Sequence, residues 1–228
     1  MKKEYWFILI AYIAMQLSSL VGVPLLIYIG GLFGKSYHEM AELSVSLWIV
    51  ISFSLTFIIS LILLRKEWIK PVRSEKALLP RESIYWAVGG IFLAFFAQIA
   101  AANIEYWLGI EMGSENTEQI VNLIKTAPIV ILVTSILGPI LEEIVFRKIL
   151  FGALYKRLNF FLAGLISSLV FSLAHGEPEH ILLYAAMGFT FAFLYVKTNR
   201  ILVPIFAHVS MNTIVVLMQL NQDLIQQL

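Results

Sequence analysis

The chain has 228 residues, 60% of them hydrophobic and 14% charged, with a formal net charge of +1 and a mean hydropathy of +0.86. A water-soluble domain carries about 45–50% apolar and 25% charged residues, so the composition excludes one and points to an all-α, polytopic membrane protein. The near-neutral charge gives no argument for a nucleic-acid partner, and the absence of cysteine excludes disulfides, thiolate chemistry and cysteine zinc sites.

Lys2 and Lys3 precede an apolar run from Tyr5 to Phe33. It is too long for a signal-peptide core and reads as an uncleaved first span, with Pro24 and Gly30-Gly31 expected to kink or end it. A polar link comes next, in which His38 reads as a solvated loop residue. The second span is expected at about Leu43–Leu64. Residues 65–82 are the most charged segment and read as a topogenic loop: Arg65, Lys66, Lys70, Arg73, Lys76 and Arg81 outnumber Glu67, Glu75 and Glu82. The third span, about Ile84–Ile110, is bracketed by Tyr85-Trp86 and Tyr106-Trp107 as interface aromatics. Gln98 and Glu105 share one of its faces, and Glu105 is expected to be wet at its end. Residues 111–127 are polar, with a helix starting near Asn116. The fourth span, about Pro128–Leu154, carries Glu142, Glu143 and Arg147. The fifth runs from Phe160 to His175, the sixth from Ile181 to Val196 and the seventh from Ile201 to Leu220. His180, beside Glu179 and Pro178, reads as a boundary residue. No repeat or long linker divides the chain, so residues 1–228 read as one integral membrane domain with about seven spans.

Basic residues set the orientation. With the N-terminus in the cytoplasm, the inner side receives Lys2, Lys3, the basic residues of 65–82, Lys148, Lys156, Arg157, Lys197 and Arg200. The outer side receives only Lys35 and Lys125. This asymmetry places a multi-pass protein in the cell membrane with its N-terminus cytoplasmic.

Charge in the fourth span needs a reason. A charged side chain at the bilayer centre costs roughly 2.5–3.5 kcal/mol on insertion scales. Glu143 and Arg147 are i,i+4, acid before base, the better order for a helical pair. On an α-helix Glu142 points about 140° away from Arg147, which leaves it free to face something else. Pro139 removes a backbone donor nearby. Two further polar stations stand out: Phe171 with His175 on the fifth span, and His208 with Asn212 on the seventh, each i,i+4. At about 1.5 Å per residue from the cytosolic boundaries, Glu142 lies ~21 Å deep, His175 ~24 Å, and His208 and Asn212 ~12 and ~18 Å. The groups therefore overlap in depth within a core of ~30 Å.

A carboxylate can take a proton from water while one imidazole assists; a second imidazole and an amide can donate to an oxyanion. The same groups could hold a divalent metal such as zinc, with Glu142, His175 and His208 as ligands. Either route is hydrolysis, and the residues leave both open.

Glu142-Glu143-x-x-x-Arg147, Phe171-x-x-x-His175 and His208-x-x-x-Asn212 resemble the three ordered motifs of the CPBP intramembrane proteases. That family is named for CAAX proteases and bacteriocin-processing enzymes, and is also called Abi. The resemblance covers about residues 128–216, and Gly138-Pro139 before the acids resembles Gram-positive members. It implies a helical endopeptidase around a conical cavity open to lipid and cytosol. It also implies that Glu142 activates water beside His175, that His208 and Asn212 stabilise the oxyanion, and that Glu143, Arg147 and Phe171 support them. Family members have been described both as metalloproteases and as metal-independent glutamate proteases. The implied substrate is a membrane-associated peptide or protein, prenylated or of bacteriocin type. The alternative reading is an immunity or scaffolding protein that retains the motif without proteolysis. A transporter using Glu142 as a proton relay is more distant, since no inverted repeat is visible.

Overall fold

The computed structural model describes residues 1–65 and 77–226, and every regular element among the described residues is helical. The stretch that carries Lys66, Glu67, Lys70, Arg73, Glu75 and Lys76 lies outside the described residues.

Helices α1 (Lys3–Leu32) and α2 (Tyr37–Leu64) form a hairpin. Gly34 makes the turn at φ +77°, a left-handed conformation that favours glycine. Ser36 then starts α2 with a capping box. Its Oγ accepts from the Glu39 N–H at 3.3 Å, and its own N–H donates to Glu39 Oε2 at 2.9 Å. The two helices touch closely where α1 has no side chain. A Cβ on Gly22 would lie 1.9 Å from the Trp48 ring, whose Nε1 donates to Ser18 Oγ at 2.9 Å. Helix α1 runs through Pro24 and the Gly30-Gly31 pair without ending. His38 is exposed, in the first turn of α2.

Helix α3 (Pro80–Trp107) leads to the short amphipathic α4 (Glu115–Thr126), capped by Ser114. Next in the chain is α5, helical from residue 130 to 155 but not uniform. Two widened π-turn stretches, Val133–Leu137 and Glu143–Phe151, interrupt it. The first precedes Pro139, which offers no N–H to the carbonyl four residues back; a wider turn re-pairs the freed carbonyls. Helix α6 (Phe160–Leu173), a single 3₁₀ turn (Pro178–His180), α7 (Ile181–Thr198) and α8 (Leu202–Gln226) complete the fold.

Helix α7 packs between α6 and α3, while α8 packs against α3 and α5; the hairpin covers α5 from the other side. Gly90 of α3 admits this arrangement, since a Cβ there would meet Leu194 of α7 at 2.7 Å and Ala207 of α8 at 3.3 Å. The core contains Leu141, Ile144, Phe146, Phe171, Phe191 and Met211. Apolar side chains also cover the outside, among them Phe7, Ile10 and Leu17 on α1 and Phe92 and Phe96 on α3. Such a surface suits lipid.

Among the described residues five helices are long and apolar enough to cross a membrane: Lys3–Leu32, Tyr37–Leu64, Pro80–Trp107, Pro178–Thr198 and Leu202–Asn221. The remaining two expected spans are the interrupted α5 and the 14-residue α6, shorter than the ~20 residues a full crossing takes. Lys148, assigned to the inner side by charge counting, is 4% exposed within α5.

Candidate active site

The acidic pair sits where α5 widens. In a π-helix the hydrogen bonds run from i to i+5 and each residue turns less than 100°, so Glu142 and Arg147, five apart, lie closer in angle than the 140° expected for an α-helix. Both acids consequently reach one imidazole. His208 Nδ1 donates to Glu143 Oε1 at 2.9 Å, and His208 Nε2 lies 3.7 Å from Glu142 Oε2. Glu143 also faces Arg147, with Oε2 and Nε 3.3 Å apart. It thus serves two partners, where the sequence alone indicates one.

Glu143 is 0% and Arg147 1% exposed. The Arg147 guanidinium lies 4.1 Å from the Phe171 ring centroid and 5.3 Å from that of Phe191. Ring faces attract a desolvated cation and compensate for part of its lost hydration. Phe191 also stacks on His208 at 4.5 Å and 20°. Phe171, the aromatic member of its motif, touches Arg147, His175 and His208 in this way.

His175 lies just beyond the last turn of α6. Its Nδ1 is 2.8 Å from the Phe171 carbonyl, which can only accept, so Nδ1 carries the proton and Nε2 keeps its lone pair when the ring is neutral. His208, backed by a carboxylate on Nδ1, differs: its Nε2 faces a second carboxylate and, when protonated, can donate.

A cavity of about 330 Å³ brings several of these groups together. His175, His208 and Asn212 line it, as do Gln98, Glu105 and His180 from across the fold. Glu142 stands beside it, outside its lining, with its side chain 21% exposed. Helix α4 supplies part of the wall through Asn116, Thr117 and Ile120.

Two clusters in this wall carry no sequence motif. Glu105 is 3% exposed, in contrast to the expected wet residue. It accepts from the Leu183 N–H at 2.9 Å, and His180 Nδ1 is 2.9 Å from its other oxygen. His180 does sit at a boundary, the N-cap of α7, but it is buried there as the partner of Glu105. The second cluster centres on Glu177, in the turn after α6. Burial alone would raise its carboxyl, but hydrogen bonds from the Tyr184 hydroxyl, the Asn116 N–H and Ser114 Oγ hold it below its ordinary value. The sequence offers only one hint of either cluster, an acid at the end of an apolar helix face; the partners are 75 and 63 residues apart.

Among the described residues no three His, Asp or Glu side chains gather closely enough to hold a metal ion. Glu142, His175 and His208 as arranged do not make that set. A catalytic zinc site takes at least three protein ligands.

Comparison with known proteins gives concordant matches. The family model described as Type II CAAX prenyl endopeptidase Rce1-like matches residues 124–214, the stretch holding all three motifs. The chain is 51% identical over 225 residues to "Putative membrane peptidase YdiL" of Bacillus subtilis (strain 168), covering 97% of this chain and 91% of that protein. It is 38% identical over 144 residues to "Membrane-embedded CAAX protease MroQ" of Staphylococcus aureus (strain USA300), covering 60% of this chain and 58% of that one. No solved structure matches. With similarity to YdiL extending over nearly its whole length, and the motif-bearing stretch matching the Rce1-like model, this chain belongs to the CPBP family of CAAX-type membrane proteases.

Proposed function

We propose that the protein is an intramembrane endopeptidase that hydrolyses a peptide bond of a membrane-associated peptide, with Glu142 as the base. The observation that carries this reading is the shared imidazole: Glu142 and Glu143 approach opposite nitrogens of His208. Glu143 is committed to Arg147 and His208, so Glu142 is the carboxylate with capacity to accept a proton from water.

A water oxygen attacks the scissile carbonyl carbon and gives a proton to Glu142, with the His175 Nε2 lone pair orienting that water. The carbonyl oxygen becomes an oxyanion and accepts from His208 Nε2–H and the Asn212 amide. The carbon–nitrogen bond breaks, and Glu142 returns its proton to the leaving amine. Glu143 and Arg147 hold His208 and the α5 turn in place. The charge bias of the loops favours a cell-membrane location with the N-terminus in the cytoplasm. The name of MroQ and the family description refer to CAAX cleavage, so prenylated peptides are one substrate class and bacteriocin-type peptides another.

The test compares peptides released from membranes of a deletion strain carrying wild type or Glu142→Gln. The amide keeps the shape and removes the base, and release is expected to fall about 10²–10⁴-fold. Wild-type release is expected to survive thorough chelation of divalent metals; loss on chelation with recovery on zinc addition overturns the glutamate-base route. If Glu142→Gln fully rescues the deletion phenotype, the non-proteolytic scaffolding or immunity reading replaces this one.

A further inference from the structure

His175 is held in an unusual place for a residue whose ring orientation matters. It lies past the end of α6, and Gly176 after it has φ +75°. Its backbone N–H reaches only the Ser172 carbonyl, at 3.0 Å. Among the described residues the ring has one hydrogen bond, from Nδ1 to the Phe171 carbonyl. A single bond leaves a ring free to swing about it. Phe171 meets the ring edge-on at 4.5 Å and 69°, which limits it on one side.

The flat face is covered by Tyr184 of α7. The two rings stack at a centroid distance of 4.0 Å and 26°. Tyr184 is 6% exposed, so it has little room to move with its partner. Its hydroxyl donates to Glu177 Oε2. The same carboxylate oxygen accepts from Ser114 Oγ at 2.9 Å, and Oε1 accepts from the Asn116 N–H at 3.0 Å. Ser114 caps α4. Tyr184 is therefore pinned at its far end to a carboxylate that is itself fixed by a different helix.

We propose that Tyr184 is the positioning residue for His175. Its ring fixes the imidazole face so that Nε2 points into the cavity, and Glu177 with Ser114 fixes Tyr184. This assignment rests on the reading that His175 orients water. It gives α4 a role as well: the helix that walls the cavity is mechanically joined, through Glu177 and Tyr184, to the imidazole. No covalent step is involved, since Tyr184 acts only through the orientation of another group.

The effect is readable without knowing the substrate. Protein labelled with ¹⁵N-histidine in lipid nanodiscs has four imidazoles, and His175→Gln assigns one of them. In wild type the His175 nitrogens are expected to report a single tautomer with the proton on Nδ1. Tyr184→Leu removes the flat face and is expected to average the two tautomers, with peptide release reduced about 10-fold to 10²-fold. Tyr184→Phe keeps the stacking face but loses the hydroxyl tie to Glu177, and is expected to fall between wild type and the leucine variant in both tautomer averaging and release. Should the leucine variant not fold, Tyr184→Met fills the volume without a flat face and is expected to give the same averaging. A wild-type tautomer in the leucine or methionine variant overturns the proposal, as does equal loss in the phenylalanine variant. Full release by Glu142→Gln sinks Glu142 as the base instead, and the nitrogen shifts then still decide whether Tyr184 holds the ring.

Discussion

Arg147 is 1% exposed, and its guanidinium is matched by one carboxylate and two aromatic faces. An ordinary polar contact between membrane helices is worth about 0.6 kcal/mol, so its loss would scarcely register. Removing one member of a buried ion pair is different, because the charge left behind has no water; it costs about 3–5 kcal/mol. Arg147→Leu leaves Glu143 in that position, with only His208 in contact. The expected outcome is strongly reduced accumulation in the membrane and a lower melting temperature in detergent. Arg147→Lys keeps the charge but loses the flat group that stacks on Phe171, and is expected to fall between the two. Normal melting of the leucine variant would show that the pair is not needed for folding. This pair is readable from spacing alone, because i,i+4 neighbours meet on a wide turn as on an ordinary one. The link from Glu143 to His208 is not, since it crosses 65 residues and no local rule specifies it.

At the scale of elements, the hairpin of α1 and α2 depends on absent side chains. The position of Gly22 is occupied by the Trp48 ring, which Ser18 holds in place. Gly22→Leu forces α1 away from α2 and is expected to cost about 1–3 kcal/mol, as overpacking does. Gly31→Leu is the matched control, because nothing lies within 4 Å of a Cβ there. Thermal unfolding of both in detergent measures the difference; equal midpoints would contradict the tight fit. The sequence identifies this hairpin as two apolar runs with a polar link, but puts the second start near Leu43, whereas the Ser36–Glu39 capping box begins α2 at Tyr37. It does not identify the π-turns of α5. Periodicity assigns each residue 100°, and only the packed structure reveals where a turn widens. Periodicity therefore puts Glu142 on a face turned from Arg147, whereas in the fold it shares His208 with Glu143.

Across the whole molecule, Glu177 joins α4, the turn after α6 and α7 through three donors. Its carboxyl sits below its ordinary value in the folded protein. The folded state thus favours the ionised form, so this contribution is complete above the ordinary carboxylate range of about 4.3 and is lost as pH falls through the depressed folded value. Glu177→Leu is expected to lower the melting temperature by roughly a few degrees at pH 7, with the gap to wild type closing in acid. A gap that stays constant from pH 7 into acid would show that the carboxylate charge is not what holds these elements. Nothing in the sequence marks Glu177 for this, nor Tyr184, nor the pairing of Glu105 with His180. Motif residues are legible because each pair is local to one helix. The supporting shell is not, because its members meet only when α3, α4 and α7 pack.

The widened turns of α5 have a consequence for what changes the site tolerates. A π-turn is an α-helix carrying one surplus residue, so it can release that residue while the angular phase of everything beyond it is kept. Within Val133–Leu137 many apolar replacements leave Glu142 and Glu143 facing His208, and deleting a single residue there closes the wide turn to an ordinary one with the acids still in phase. Deleting one residue from the regular turn at 138–141 has no such slack and rotates the segment beyond it by about 100°. Both carboxylates and Arg147 then turn away together, with every motif residue still present in the chain. A homologue of this protein can therefore be one residue shorter within the first wide turn and keep its site, but not one residue shorter between that turn and Glu142.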